Sequence, residues 1–189
     1  MSGDEHHKLL HRLATGDKEA LRLLYDAFSG KVYNTALSYV QDPSDAEEVT
    51  QDVFVDIWRT ASGFAGGSTV STWIYRIAVN RSLDVLRRRK RKKRTATLVR
   101  LFNPTSGKLE HDASDFVHPG IELERREDSK VLFAAIDELP DKQKTAFILT
   151  YVENLPQQEV ASVMGTSVGA VEQLLQRAKV NLRKRIERE

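Results

Sequence analysis

Between Thr95 and Asp128 the chain loses the three-and-four-residue spacing of apolar side chains that governs it on both sides. Pro104, Gly107, Pro119 and Gly120 fall there among polar neighbours. A structureless loop of that length is uncommon inside one compact domain, so the segment reads as a linker. The 189 residues then divide into 1–95, a linker at 96–128, and 129–189. No segment alternates with period two, so strands are not expected. The expected fold class is all-α, with two small helical domains joined by a flexible linker.

Within the first domain, Asp17 stands as N-cap before "KEALRLLYDAF", which places Leu21, Leu24, Tyr25 and Phe28 on one face. Val32, Ala36, Leu37 and Val40 continue the stripe, and Asp42-Pro43 ends it. Ser44 with Glu47 three residues later reads as a capping box opening "DAEEVTQDVFVDIWRTA". Val49, Val53 and Ile57 face inward on this helix. After the glycine-rich "SGFAGGST", a fourth helix begins at Val70, with Ile74, Ile77, Ala78 and Leu86 on its core side. Beyond the linker, four helical patterns are broken at Pro140, Pro156 and Gly165.

Charge is distributed unevenly. The formal net charge is only +2, yet residues 62–100 hold 11 basic groups and one acidic, while 1–61 and 101–155 each stand at −5. Eight consecutive cations, Arg87 to Arg94, lie in that basic block. The asymmetry points to one face for a polyanion and another for something else. No cysteine is present, which removes disulfides and thiolate metal sites. No apolar stretch is long enough to span a bilayer, and the first residues lack a signal-peptide pattern, so a soluble protein is expected.

"LPQQEVASVMGTSVGAVEQLLQRAKVNLRKRI" has the layout of a helix-turn-helix. Val160, Ala161 and Met164 mark a short helix, Gly165 takes the turn, and Ser167 caps a second helix with the stripe Val168, Val171, Leu174, Leu175 and Ala178. In that motif the second helix enters the major groove with its N-terminal residues at the base edges. Glu172, Gln173, Gln176 and Arg177 would face bases, with Lys179, Arg183 and Lys184 on phosphates. An amphipathic helical hairpin with a solvated polar face satisfies the same letters.

Taken together, "LYDAFSGKVYNTALSYVQDPSDAEEVTQDVFVDIWR", "STWIYRIAVNRSLDVLRRRKR" and "IDELPDKQKTAFILTYVENLPQQEVASVMGTSVGAVEQLLQRAKVNLRK" resemble a bacterial sigma factor of the extracytoplasmic-function (ECF) group. The resemblance covers about 18–94 and 130–186, in order and spacing. It implies a non-enzymatic subunit that carries core RNA polymerase to promoters and assists melting. The helix matching Ala46 to Arg59 would dock on the β′ clamp, through Glu47, Glu48, Gln51, Asp52 and Asp56 with Phe54 and Trp58 as apolar anchors; β is the other core partner. Residue type alone favours Phe54 and Trp58 as filling this domain's own core, and the acidic positions carry the docking expectation better. The loop Ser62 to Ser71 would capture an extruded base of the downstream element, with Phe64 as a stacking platform. Arg76, Asn80, Arg81, Asp84, Arg87 and Arg88 would follow the displaced strand along one helix, and Trp73 reads as core. From Arg89 onward the cation run is expected to fray into a diffuse phosphate attractor. Four neutralised phosphates would give a log K against log salt slope of about −3.6. Upstream duplex would be read by Ser167, Glu172, Gln173, Gln176, Arg177, Lys179 and Arg183.

The resemblance also implies an anti-sigma partner, a cytoplasmic location with tethering at the inner membrane through that partner, and a linker threading polymerase. Glu110, Asp112 and Asp115 would mimic nucleic acid there. Two departures stand out. Pro156 occupies the position where relatives carry a Ser or Thr cap and is expected as the first helical residue. Glu172, Gln173 and Leu174 replace small polar and basic residues in the recognition helix.

A stand-alone helix-turn-helix regulator is the alternative, but the largest positive charge lies far from the recognition helix. An enzyme fits poorly. His7 and His11 share i,i+4 spacing without the glutamate of a zinc-protease pattern, and they read, with His6, as exposed residues of a frayed N-terminus. No nucleophile and base stand together, and no metal, cofactor or small-molecule substrate is implied.

Overall fold

A computed structural model describes residues 3–102 and 126–187, with side chains over 3–95 and 129–187. Pro104, Gly107, His111, His118 and the acidic residues Glu110, Asp112 and Asp115 lie outside the described residues. Among the described residues there are eight α-helices and no strand. The first body contains α1 (Gly3–Ala14), α2 (Lys18–Val40), α3 (Pro43–Thr60) and α4 (Val70–Phe102); the second contains α5 (Arg126–Asp137), α6 (Asp141–Phe147), α7 (Gln157–Met164) and α8 (Val168–Ile186).

The helices form where apolar periodicity and caps agree. Asp17 accepts from the amides of Glu19 at 2.9 Å and Ala20 at 3.4 Å, and α2 ends at Gln41 in the left-handed region (φ 54°). The stripes of α2, α3 and α4 meet in one core: Leu24, Val32, Ala36, Val53, Ile57, Ile74 and Ala78 are each at most 1% exposed. Two expectations are corrected here. The cap of α3 is Asp42, whose carboxylate accepts from Asp45 N at 2.9 Å, with Pro43 at the first helical position, where its missing N–H costs nothing. The Ser44–Glu47 box is therefore not the cap. The N-terminus is not frayed either. α1 buries Leu9, Leu10 and Leu13, and His6 and His7 rest on the rings of Phe28 (4.7 Å) and Phe64 (5.5 Å).

Thr69 opens α4 by accepting from Thr72 N at 3.0 Å. The helix then continues to Phe102, past the start expected for the linker, and the cation run is helical throughout. Arg89, expected to begin a frayed end, is held instead. It donates to Val40 O at 2.7 Å and pairs with the Asp45 carboxylate, tying α4 to the α2–α3 corner.

In the second body, α6 passes into a π-helical turn, Ile148–Val152, before α7. Phe133, Ile136, Leu139, Ile148, Leu149, Val160, Val171 and Ala178 form its core. Lys144 is buried within it, donating to Asp137 O at 2.9 Å and Asp137 Oδ1 at 2.6 Å. Desolvation pulls the Lys144 pKa below its ordinary value, and the partner Asp137 opposes that pull. Pro156 is the N-cap rather than the first helical residue, and its carbonyl accepts from Val160 N at 3.0 Å. Gly165 takes the left-handed turn (φ 61°) and Ser167 caps α8 through Ala170 N at 3.2 Å. Val168, expected in the buried stripe of α8, is exposed, because it sits in the first turn before the helix reaches the core.

The two bodies pack against each other, α4 against α7 and α2 against the π turn.

Candidate functional site

Three surfaces carry the sequence candidates. On α3, Glu47, Glu48 and Gln51 are exposed and Asp52 is half-buried. With Tyr25 and Tyr33 of α2, Glu47 and Gln51 line a shallow groove of about 440 Å³. Phe54 is core, 6% exposed, with its ring 4.7 Å from that of Tyr25. Trp58 is 38% exposed and Val55 45%, so these two, and not Phe54, are the apolar side chains this end of α3 presents to solvent. Tyr25, expected in the core stripe of α2, is 46% exposed. Its position at the margin of the stripe lets its ring lie over Phe54 with one side open. Neither Val55 nor Tyr25 is expected on this surface from sequence; both occupy the edge of an amphipathic face, where periodicity does not separate inside from outside.

Asp56 is not available as a free acidic contact. Arg81 Nε and Nη2 donate to its two carboxylate oxygens, each at 2.5 Å. The pair raises the Arg81 pKa further, chiefly through this hydrogen bonding. A residue expected on polymerase and one expected on DNA thus hold α3 and α4 to each other. A bidentate guanidinium–carboxylate fork fixes orientation as well as charge.

Along the second surface, Phe64 is half-buried, 5.3 Å from Trp73 and 5.5 Å from His7 in a row of three rings. The ring is tilted against both neighbours, at 53° to His7 and 58° to Trp73, so it is held within the protein and not free as an exposed stacking platform. Trp73 is partly buried against the core, as expected. Asn80 and Arg88 are exposed on α4. Arg87 reaches Asp84 at 3.3 Å and Asp141 of the other body at 3.5 Å. Arg76 donates to Ser162 O at 2.6 Å and Val163 O at 3.2 Å, at the C-terminal end of α7.

The third surface is α8. Glu172, Gln173, Gln176, Arg177, Lys179 and Arg183 are all exposed, on the side opposite Val171, Leu175, Ala178 and Leu182. Ser167 is occupied as the helix cap. Lys179 holds its ammonium 4.9 Å from the ring centre of Tyr151 in the π turn, a cation–π contact. The second and third surfaces meet: a cleft of about 710 Å³ is lined by Arg76, Asn80 and Arg87 from α4 and by Gln173, Leu174 and Arg177 from α8.

Two helical bodies, one with a glycine-rich loop before a basic helix and one with a capped helix-turn-helix, define the class. A model of sigma-70 region 2 matches residues 24–92, and a model of sigma-70 region 4 matches 129–182. The chain is 30% identical over 188 residues to the ECF RNA polymerase sigma-E factor of Haemophilus influenzae, covering 95% of this chain and 94% of the relative. It is 29% identical over 183 residues to the RNA polymerase sigma-H factor of Pseudomonas aeruginosa, covering 95% and 92%. It resembles the fold of CnrH, solved with the cytosolic domain of CnrY, at a TM-score of 0.67 and 21% identity over 97% of both chains. It also resembles the sigma factor RpoE of Bartonella quintana, solved with the anti-sigma factor NepR, at 0.63 and 19% over 88% and 96%. The chain belongs to the ECF RNA polymerase sigma factors.

Proposed function

We infer that this chain is an alternative sigma factor that directs RNA polymerase to promoters. It acts as a DNA-binding initiation factor, not as an enzyme in itself. The observation that carries the reading is the presence, in one chain and in order, of both sigma regions, each with an exposed polar face suited to nucleic acid. A stand-alone regulator would need only the second.

The division of labour follows from the surfaces. The outer face of α3, with Glu47, Glu48, Gln51 and Trp58, takes the β′ clamp of core polymerase. Exposed aromatic anchors in an acidic surround fit a basic partner, and such anchors dominate interface energetics. Asn80 and Arg88, with Arg76 and Arg87 once released from their contacts across the cleft, follow the displaced strand of the downstream element. Arg177 and Gln176 read the upstream duplex, since arginine pairs with guanine and glutamine with adenine in the major groove. Joining the two DNA contacts in one chain raises the effective concentration of the second once the first is made. The domains that carry these contacts are 1–95 and 129–189, connected through 96–128.

An anti-sigma protein is the regulatory partner this reading includes, in keeping with the complexes in which the structural neighbours were solved. Among the described residues no helix is long and apolar enough to cross a membrane. The reading places the chain in the cytoplasm beside the polymerase it serves, with any membrane attachment supplied by the anti-sigma partner.

Run-off transcription with purified core polymerase and a genomic promoter library tests the reading. Specific initiation is expected. Arg177→Ala should shift upstream-element preference, while Asn80→Ala should impair opening of linear duplex and be rescued by a pre-melted template. No initiation and no co-purification with core enzyme would overturn it.

A further inference from the structure

Arg81 stands beside Asn80 in the row expected on the displaced strand, yet its surroundings do not suit a phosphate. Both oxygens of Asp56 accept from its guanidinium at 2.5 Å, and the pair is largely withdrawn from solvent, with the Arg81 side chain 34% and that of Asp56 19% exposed. Asp52, one turn earlier on α3, and Asp84, one turn later on α4, add negative charge around the same guanidinium. Asp84 is shared with Arg87 at 3.3 Å. Three carboxylates about one guanidinium leave it little positive field to offer a phosphate oxygen.

A second tie joins the same two helices further along, where Arg89 pairs with the Asp45 carboxylate. The two arginines lie roughly two turns apart on α4 and the two aspartates roughly three turns apart on α3. Apolar packing between the helices is non-directional and by itself lets one roll on the other. A planar fork with two parallel hydrogen bonds does not. Asn80 is the residue next to that fork. It is exposed and makes no hydrogen bond among the described residues, so its placement comes from the backbone that Arg81 holds. A side chain that reads a base must be held to within about 0.5 Å of its productive position.

We propose that Arg81 is a positioning residue for strand capture: its fork with Asp56 fixes the angle at which α4 presents Asn80 relative to α3, the helix that takes core polymerase. The proposal rests on the reading of α3 as the polymerase face and of Asn80 as a strand contact. It removes Arg81 from the row of DNA contacts and Asp56 from the polymerase face, and gives the pair one joint task. The grip of the enzyme on α3 reaches the base reader through this pair of hydrogen bonds. Without the fork, α4 pivots on the distant Arg89 tie and Asn80 moves with it.

Two conservative variants test this in the full chain with core polymerase. Arg81→Lys keeps the charge and loses the fork; Asp56→Asn keeps the shape and loses the carboxylate. Val32→Ala, a core change in α2 away from the fork, controls for lost stability alone. Each protein is measured for core affinity and for run-off initiation on a linear duplex promoter and on its pre-melted form, below every unfolding midpoint. Both fork variants should lose about tenfold on the duplex, recover on the pre-melted template and bind core as the parent does, while Val32→Ala matches the parent throughout. A second arm reads the salt dependence with which the free chain binds a fluorescein-labelled mixed-sequence single strand. Asp56→Asn combined with Arg81→Gln removes both charges and should keep the parent's slope, whereas Arg88→Gln should lower it by about 0.7, the loss of one phosphate contact. Parental initiation in both fork variants, a loss shared by Val32→Ala, a loss that persists on the pre-melted template, weakened core binding, or a slope lowered in the double variant as in Arg88→Gln overturns the proposal. A parent chain that initiates nowhere overturns instead the sigma-factor reading, and the salt arm still decides whether Arg81 touches DNA.

Discussion

Glu153 gives the packing of the two bodies against each other, their closed arrangement, a pH dependence whose sign and size follow from its surroundings. The carboxyl is walled in by α2 (Thr35 and, further off, Lys31) and by Tyr75 of α4, with Glu159 of α7 beyond the tyrosine. Burial is the leading cause that pushes its pKa up to about 7 from an ordinary 4.5, against smaller opposing contributions from Thr35, Tyr75 and Lys31. A carboxyl raised on closing holds its proton more tightly in the closed form. Closure is therefore strongest below pH 4.5, weakens as pH rises from there through about 7, and levels off above. The whole difference is about 3 kcal/mol, since each tenfold change in proton affinity is worth about 1.4 kcal/mol. Glu153→Gln keeps the shape and removes the ionisation. In a chain carrying one dye on each body, at Ser44→Cys on α3 and Glu187→Cys just after α8, energy transfer should fall between pH 5 and 8 in the parent and stay level in the variant. Equal pH profiles in the two proteins, or transfer that rises with pH in the parent alone, would refute the reasoning.

Breaking the Arg81–Asp56 fork should destabilise the first body whichever partner is removed. Arg81→Ala and Asp56→Ala should be strongly non-additive in urea unfolding, with a coupling of about 1–2 kcal/mol. Asp137→Ala leaves the buried Lys144 ammonium short of a partner and should cost about 2–3 kcal/mol, whereas Lys144→Met, of similar volume, should be close to neutral by the same measurement. His7→Ala should free the Phe64 ring; a loss of about 1 kcal/mol and faster amide exchange across 62–69, with rescue by His7→Phe, would check it. Arg88, Lys90, Arg91 and Lys92 are exposed on α4, so neutralising all four should flatten the salt dependence of single-strand binding by about 3 in log–log slope.

Local signals are the part of this structure legible in the residues. Asp17, Gly165 and Ser167 act within a turn of their own positions, and each stands where its chemistry places it. The inward stripe Val49, Val53 and Ile57 is equally plain. Adjacent candidates are harder. Asp42 and Ser44 are both good caps two residues apart, and proline's fitness for the first helical position decides for Asp42. Pairings between distant elements leave no periodic trace. Arg81 with Asp56, Arg89 with Asp45 and Arg76 with the α7 carbonyls join residues 25 to 87 positions apart. Each arginine therefore reads as a free cation in the sequence. The α1 helix escapes the same reading because two histidines look like solvent-exposed residues, whereas both rest on aromatic rings of the body they cover.

The uninterrupted course of α4 sets a rotational phase for everything mounted on it. Every residue added to or removed from a helix turns its remaining length by about 100° around the axis. A single deletion between Asn80 and Arg87 would swing the arginine row off the line of Asn80 and drag Arg89 away from its anchorage on Val40 and Asp45. Changes of length within α4 should thus leave the anchorage of Arg89 undisturbed only where they fall beyond it.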